Sequence, residues 1–292
     1  MFTPWNSFFS PEGRSLLQRS IDLALDEDGP ELTAQGIFAE DTALRAVIRA
    51  KEDTLVVGLP VIGEVLTRLT RDFRWKALAQ EATPVPAMTQ VAEITAPAVA
   101  LLKAERVILN FVCHLSGIAN LTARYVRELE GTGVRLLDTR KTTPGLRWPE
   151  KYAVQAGGGC NHRKDLTEML MLKDNHIDAA GSVTAAVRAL RARYAPCPPI
   201  EVECRTLLHV REALAAGADR IMLDNMDAPL LGEALALIPP QTEAEVSGGV
   251  CLENIRAIAR TAPRPPDFIS VGRLTHSATA ADFSMLLLNP QT

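Results

Sequence analysis

The chain has 292 residues and a net charge of −4, so it lacks the overall positive field of a nucleic-acid-binding protein. Its 47% hydrophobic and 23% charged residues fit a globular protein with one large α/β domain and a smaller companion. Five scattered cysteines without a C-x-x-C pair argue against a disulfide framework and a structural zinc site. The start lacks a signal-peptide pattern and residues 55–66 are too short to cross a bilayer. We therefore expect a soluble, cytoplasmic protein without nucleic-acid or membrane partners.

The first part of the chain mixes helical and strand patterns. Apolar residues between Leu16 and Leu25 recur at helical spacing, which predicts an amphipathic helix. Short apolar runs at residues 46–48, 54–58 and 90–94 predict strands of a small sheet. These patterns together predict an N-terminal α+β sandwich domain.

A strong helix is predicted from Ala98 to Cys113, where apolar residues again recur at helical spacing. Ser116-Gly117 predicts a break, and a second helix then continues to about Glu130. We place the domain boundary at this break. The prediction is an N-terminal domain over residues 1–115 and a second domain over residues 116–292, whose C-terminal tail is free to return to the first.

Six short apolar runs follow, separated by helix-forming segments. Strand–helix alternation of this kind predicts parallel strands joined by right-handed crossovers. The second domain is therefore predicted to be an incomplete parallel α/β barrel of six to seven strands. The predicted strands are residues 134–137, 169–172, 200–202, 220–223, 244–246 and 268–271, with helices at 184–194, 207–216 and 252–261.

Basic residues collect at the ends of the predicted strands. Polar groups at the carboxyl ends of successive parallel strands converge on one face, where barrel enzymes hold substrate. So much positive charge in one cleft is costly unless an anion neutralises it, and arginine offers a planar fork to a carboxylate. The alternative is a set of solvated loop charges paired with Asp138 and Asp174. The basic set consists of Arg140, Lys141, His162, Arg163 and Lys173.

Two carboxylates, Glu203 and Asp224, each follow a predicted strand directly. Carboxylates beside a polyphosphate hold Mg²⁺ or accept ribose hydroxyls, because alone they would repel the phosphates. The alternative is a structural ion pair with the basic set. Glu201 shares a face with Glu203 by strand alternation, so one of the two is free to lie deeper in the barrel.

The turn Ser247-Gly248-Gly249 precedes a helix predicted to begin near Leu252. Glycines allow close backbone approach and a helix N-terminus offers free N–H groups to a phosphate, although glycine can also serve the turn alone. The histidines lack metal-ligand spacing and are assigned to hydrogen bonding, with His162 and His276 placed in the site ahead of His114. No Walker loop or G-x-S-x-G elbow occurs, which excludes the commonest NTPase and hydrolase readings.

The order and content of these motifs resemble the quinolinate phosphoribosyltransferase family, also named nicotinate-nucleotide pyrophosphorylase (carboxylating). The resemblance spans about Ala46 to the C-terminus. Residues 35–41, Lys164-Asp165, Glu168 and Arg273 depart from the family pattern. The motifs that carry it are residues 138–147, 150–154, 157–163, 172–177, 201–203, 221–226, 246–249, 269–272 and 274–277, preceded by Glu105-Arg106, Asn110 and residues 116–118.

The resemblance implies an enzyme that joins quinolinate to phosphoribosyl pyrophosphate, with Mg²⁺ as cofactor. It also implies a homodimer with shared active sites, in which Arg106 reaches the partner's site; assembly beyond a dimer stays open. Lys141, Glu203 and Asp224 are the implied catalytic residues, and the two acids hold Mg²⁺ directly or through water. The implied quinolinate residues are Arg106, Arg140, His162, Arg163 and Lys173, and those for phosphoribosyl pyrophosphate are Lys141, Glu203, Asp224, Ser247, Gly248, Gly249, Gly272 and His276.

Two other functions fit a similar barrel. A related phosphoribosyltransferase could use nicotinate or another base, but a monocarboxylate would leave part of the basic set unpaired. A non-catalytic ligand-binding protein on the same fold would need only the basic set or only the acidic pair. The presence of both sets favours the quinolinate enzyme.

Overall fold

The structure is a computed structural model that describes residues 2–261 and 263–288. The helices are α1 (Trp5–Phe8), α2 (Pro11–Asp28), α3 (Leu32–Ile37), α4 (Val61–Leu69), α5 (Ala98–Leu129), α6 (Arg147–Ala156), α7 (Asp174–Ala180), α8 (Val183–Arg193), α9 (Leu207–Ala215), α10 (Ala228–Leu237), α11 (Ile255–Ile258) and α12 (Arg273–His276). The strands are β1 (Ala43–Ala50), β2 (Thr54–Val56), β3 (Arg74–Ala77), β4 (Thr83–Val85), β5 (Gln90–Pro97), β6 (Arg135–Leu137), β7 (Leu170–Leu172), β8 (Ile200–Cys204), β9 (Arg220–Asp224), β10 (Glu243–Ser247), β11 (Phe268–Ser270) and β12 (Phe283–Leu287).

The chain forms two compact units. The first holds the described residues of segments 2–123, 142–158 and 273–288, and the second holds those of 124–141 and 159–272. The domain boundary at residues 115 and 116 stays a prediction. Within the described residues, no helix combines the length and apolarity that a membrane span requires.

An antiparallel sheet in the order β12-β1-β5-β3 organises the first unit. Strands β1 and β5 pair from Ala43↔Pro97 onward, and β12 pairs with the other edge of β1. Helix α2 buries Leu17, Ile21 and Leu25 of the apolar residues that predicted it, whereas Leu16 and Leu23 are exposed. The mixed α+β character predicted for this part of the chain is therefore confirmed.

The break predicted at Ser116-Gly117 is wrong, because α5 is continuous from Ala98 to Leu129. Gly117 is needed for close packing, since a Cβ there would lie 2.1 Å from the carbonyl oxygen of Thr279. Ser116 is also a packing residue, and its Oγ accepts a hydrogen bond of 3.0 Å from the backbone N–H of Val57. A small-residue pair in a sequence therefore marks either a turn or a close backbone approach.

A buried carboxyl, Glu81, anchors the loop that follows β2. It accepts hydrogen bonds from the backbone N–H groups of Gly58 and Leu59 and from the Tyr152 hydroxyl, 3.2 Å away. Burial raises the pKa of Glu81 to about 7, and these three hydrogen bonds oppose the rise. The native state therefore holds a proton that the unfolded chain releases near pH 4.5.

We expect the Glu81→Gln substitution to weaken the pH dependence of stability. The folded pKa lies above the unfolded one, so the stability that the proton contributes is lost as the pH rises from about 4.5 to about 7. Urea unfolding at pH 5 and pH 8 measures the free energy of unfolding. Between these two pH values it should fall by about 1–3 kcal/mol more in the unsubstituted protein than in the Glu81→Gln variant. The control Glu130→Gln changes an exposed glutamate and should leave this loss of stability unchanged. An equal loss in the Glu81→Gln variant and the unsubstituted protein would contradict the raised pKa of Glu81.

The second unit is built on a six-stranded sheet in the order β6-β11-β10-β9-β8-β7. All five neighbouring pairs are parallel. The first strand of this sheet, β6, lies beside the last, β11, as in a barrel. Among the described residues the end strands β6 and β7 do not pair with each other, and a single parallel bridge joins Leu137 of β6 to Cys160. The predicted α/β fold with six parallel strands is confirmed.

Helix α11 departs from the prediction of a helix over residues 252–261, because it covers only Ile255–Ile258. The Asn254 side chain explains the late start. Its amide nitrogen donates to the carbonyl of Gly249 at 3.0 Å, and its oxygen accepts from the N–H of Cys251 at 2.8 Å. These local bonds hold residues 249–254 in a turn, as asparagine side chains often do.

Candidate active site

A cavity of about 300 Å³ lies in the second unit, where the carboxyl ends of the parallel strands meet. Its lining is polar and carries charges of both signs. Each predicted strand end contributes, because the side chains that follow parallel strands emerge at one edge of the sheet. The lining residues are Thr139, Arg140, Lys141, His162, Arg163, Met171, Lys173, Glu203, Met222, Asp224, Glu245, Ser247 and Ser270.

Two arginines in this lining have unused hydrogen-bonding capacity. The Nε atoms of Arg140 and Arg163 are both buried and have no hydrogen-bond partner. Nη1 of Arg163 donates a hydrogen bond of 2.9 Å to the backbone carbonyl of Met169. Burial, followed by the nearby charge of Arg140, lowers the pKa of Arg163 from its ordinary value. Two like charges with unpaired buried donors form a site that an anion would stabilise.

The acidic pair lies at the same cavity and is bridged by a cation of the chain itself. Arg205 Nη2 is 3.1 Å from Glu203 Oε1, and Arg205 Nε is 3.7 Å from Asp224 Oδ2. Both carboxylates are largely buried, with side chains 12% and 17% exposed. One guanidinium reaches both, so the two carboxylates are close enough to share a cation.

Beneath the rim, His162, Glu201 and Glu245 form a buried cluster whose possible ligand atoms lie within 4.8 Å of one another. His162 Nε2 is 3.0 Å from Glu201 Oε2 and 3.5 Å from Glu245 Oε2. Arg220 Nη1 pairs with Glu245 at 3.4 Å, which supplies positive charge from β9. Burial raises the pKa of Glu201 to about 7 and that of Glu245 to about 8. The carboxyls of this cluster therefore hold protons to a higher pH than exposed glutamates do.

Both ring nitrogens of His162 face protein groups. Nδ1 accepts the backbone N–H of Arg163 at 2.8 Å, so Nε2 carries the proton directed at the two carboxyl groups. The backbone N–H of His162 donates to Asp138 Oδ1 at 2.8 Å. This network fixes the loop that carries Arg163.

The turn after β10 brings backbone to the cavity edge. Gly248 and Gly249 have φ values of +89° and +62°, which favour glycine. A Cβ on Gly248 would lie 2.2 Å from the side-chain oxygen of Asn225, so a larger residue has no room. The turn is followed by residues 249–254 and the short α11, so a long helix N-terminus is not available to a phosphate here.

Comparison with known proteins gives the family of this chain. The model described as "Quinolinate phosphoribosyl transferase, C-terminal domain" matches residues 118–286, and the corresponding N-terminal domain model matches residues 31–116. The chain belongs to the quinolinate phosphoribosyl transferase family.

Relatives in this family align along most of their length. A Bacillus subtilis protein described as a probable nicotinate-nucleotide pyrophosphorylase (carboxylating) is 42% identical over 255 residues, 87% of each chain. The human nicotinate-nucleotide pyrophosphorylase (carboxylating) is 37% identical over 287 residues, 94% of this chain and 95% of the human one. The solved structure of NadC from Streptococcus pyogenes is 38% identical, with a TM-score of 0.86 over 96% of this chain and 99% of that chain.

The structure brings most residues of the predicted quinolinate phosphoribosyl transferase site together. Eight of them line the cavity: Arg140, Lys141, His162, Arg163, Lys173, Glu203, Asp224 and Ser247. Gly248 and Gly249 follow Ser247 directly, and Gly272 ends the second unit's segment after β11. Arg106 on α5 and His276 on α12 are exposed and belong to the first unit, so their roles stay predictions.

Sequence reasoning missed several lining residues. Glu245 lies two residues before Ser247 on β10, so strand alternation places both on one face and could have found it. Met171 and Met222 lie within strands and Ser270 ends β11, where the sequence shows only apolar runs or a small polar residue. Of the two glutamates on β8, Glu201 is the deeper one, with 0% exposure, and Glu203 lies at the cavity.

Proposed function

We propose that the chain transfers the phosphoribosyl group of phosphoribosyl pyrophosphate to quinolinate and releases carbon dioxide, giving nicotinate mononucleotide and pyrophosphate for NAD biosynthesis. One observation carries the proposal: Arg140 and Arg163, each with a buried Nε that lacks a hydrogen-bond partner, share a cavity with Glu203 and Asp224. A dicarboxylate base suits the arginines, and a ribosyl polyphosphate with its metal suits the acids. Family membership and the names of the relatives support the same reaction.

The residues of the cavity suit the steps of this reaction. Arg140, Arg163 and Lys173 would hold the two carboxylates of quinolinate, and His162 would position Arg163 through its backbone contact. The pyridine nitrogen attacks the anomeric carbon and needs no general base, because it carries no proton. The cationic ring then stabilises the electron pair released when carbon dioxide leaves from the position beside the nitrogen, and that carbon takes up a proton from water to give nicotinate mononucleotide. The protein supplies orientation and charge complementarity.

The departing pyrophosphate needs positive charge, and the developing charge on ribose needs negative charge. Lys141 would stabilise the pyrophosphate, with backbone groups of Ser247, Gly248, Gly249 and Gly272 contacting phosphates, and a phosphate contact of His276 stays a prediction. Glu203 and Asp224 would orient the ribose. They also fit Mg²⁺, because both are carboxylates within reach of one bridging cation. When bound, Mg²⁺ would neutralise charge on the pyrophosphate.

The test of this function is an assay of purified protein with quinolinate, phosphoribosyl pyrophosphate and Mg²⁺. Nicotinate mononucleotide and carbon dioxide should appear in equal amounts from quinolinate, with little product from nicotinate in a parallel reaction. Absence of quinolinate turnover by folded protein would reject the proposal. Efficient turnover of nicotinate would instead indicate a relative that uses a monocarboxylate.

We also propose that the enzyme is a cytoplasmic homodimer whose two sites are shared. All five cysteines are free thiols, which suits a reducing compartment. Arg106 is exposed on α5 of the first unit, which leaves it available to a partner's cavity. A residue supplied across a two-fold interface completes both sites at once, because the interface is the same for each subunit.

Mixing two inactive variants tests the shared site. Heterodimers of Arg106→Ala and Lys173→Ala subunits should recover about half of the native activity, since one of their two sites has both residues intact. Differently tagged subunits allow these heterodimers to be purified before the assay. Arg140→Ala mixed with Lys173→Ala is the control, because both defects lie in the same unit and every site keeps one of them. No recovery in confirmed Arg106/Lys173 heterodimers would contradict the arrangement.

A further inference from the structure

Arg205 bridges three carboxylates at the cavity. It follows the last residue of β8 and extends its guanidinium so that each nitrogen meets a different acid. Nη1 lies 2.9 Å from Asp174 Oδ2, Nη2 3.1 Å from Glu203 Oε1, and Nε 3.7 Å from Asp224 Oδ2. The three acids lie at the carboxyl ends of the neighbouring strands β7, β8 and β9. The reaction steps above give Arg205 no role.

We propose that Arg205 is an internal cation that occupies the Glu203–Asp224 pair in the ligand-free enzyme and competes there with the divalent metal. This inference rests on the proposed function, because it assigns the metal of that reaction to the same two acids. The guanidinium engages one oxygen of each carboxylate. A divalent ion bound to those oxygens would face the positive charge of Arg205 at close range, so the two cations exclude each other.

The competition is reversible because Arg205 is held loosely. Its side chain is 52% exposed, so it can leave the acids and return to water without breaking a packed core. Because the arginine side of each pair is in contact with water, each ion pair changes an equilibrium by about two- to fivefold. Asp174, itself 43% exposed, offers Arg205 a partner that remains after the other two contacts are released. The free enzyme is therefore expected to take up metal weakly, and uptake improves when Arg205 is displaced.

Direct binding of Mn²⁺, measured by electron paramagnetic resonance without quinolinate or phosphoribosyl pyrophosphate, tests the proposal. Arg205→Ser should lower the Kd for Mn²⁺ by about five- to tenfold, because it frees both acids. Arg205→Lys should change it less, since lysine keeps the charge but cannot reach three acids with a planar fork. Arg211→Ser removes the same charge from the exposed face of α9 and should change the Kd by less than about twofold.

The location of the metal needs a second comparison. In the Arg205→Ser background, adding Glu203→Gln and Asp224→Asn should abolish the gain in Mn²⁺ affinity. An Arg205→Ser Kd equal to that of Arg211→Ser would overturn the proposal, as would a gain that survives loss of both acids. Circular dichroism confirms that each variant is folded. Because no substrate is present, failure here would leave the proposed reaction standing, and failure of the quinolinate assay would leave the binding result standing.

Discussion

Arg140→Ala should lower kcat/KM for quinolinate by about 100-fold or more. Its buried Nε has no protein partner, and neither has the buried Nε of Arg163 in the same cavity. Removing one charged partner of a buried pair costs about 2–5 kcal/mol, since the carboxylate it would bind is left with less neutralising charge. Steady-state kinetics with quinolinate varied, at saturating phosphoribosyl pyrophosphate, measures the effect.

The variant series separates charge from geometry. Arg140→Lys should recover only part of the loss, because an ammonium cannot form the paired hydrogen bonds of a guanidinium fork. Arg188→Ala removes an exposed arginine from α8 and serves as the matched control. Native kinetics in Arg140→Ala would remove this residue from the base-binding site. A loss confined to the KM of phosphoribosyl pyrophosphate would assign it to the other substrate.

Lys141→Ala should lower kcat by about 100- to 1,000-fold while quinolinate still binds. Lys141 lines the same cavity as the acidic pair, and its ammonium is proposed to stabilise the negative charge of the departing pyrophosphate. Removing by mutation a preorganised charge that faces the developing charge of a transition state raises the activation free energy by about 3–4 kcal/mol. Single-turnover formation of nicotinate mononucleotide measures the chemical step.

The comparison of Lys141→Arg with Lys141→Ala shows whether charge alone is needed. Arginine keeps the positive charge and should retain more of the rate than alanine. Calorimetric titration with quinolinate should give similar affinities for the alanine variant and the unsubstituted enzyme. A rate unaffected by Lys141→Ala would leave the pyrophosphate without its proposed partner. Loss of quinolinate binding would move Lys141 into the group of base-binding residues.

The parallel sheet was predictable because its strands are buried on both faces. Such strands leave short apolar runs, broken by Glu201 in β8 and Glu245 in β10, and polar residues begin where each run ends. Each of the six predicted runs overlaps one strand of the sheet, from β6 to β11. The same feature located Arg140, Lys141 and Lys173, which follow β6 and β7, and the acidic pair at the ends of β8 and β9, whereas His162 and Arg163 lie in the loop before β7.

Other features depend on contacts that no local pattern records. Gly117 was taken for a break, whereas its lack of a side chain admits the backbone of Thr279. Glu245 resembles an ordinary polar residue of an edge strand until Glu201 and His162 are brought beside it. Arg205 follows the strand that ends at Cys204 and reads as a solvated charge, because its three partners are far apart along the chain. Tertiary structure alone assembles these groups.

The partnerless Nε groups of Arg140 and Arg163 also limit how stable the folded protein can be. The mutual repulsion of the two guanidinium groups and their buried Nε atoms destabilise the native state whenever no anion is bound. Selection for anion binding thus opposes selection for resistance to unfolding at this cavity. Binding of a dianion stabilises the native state again. The enzyme would be most resistant to heat and proteolysis while it is working, and most vulnerable in cells where its substrates are scarce.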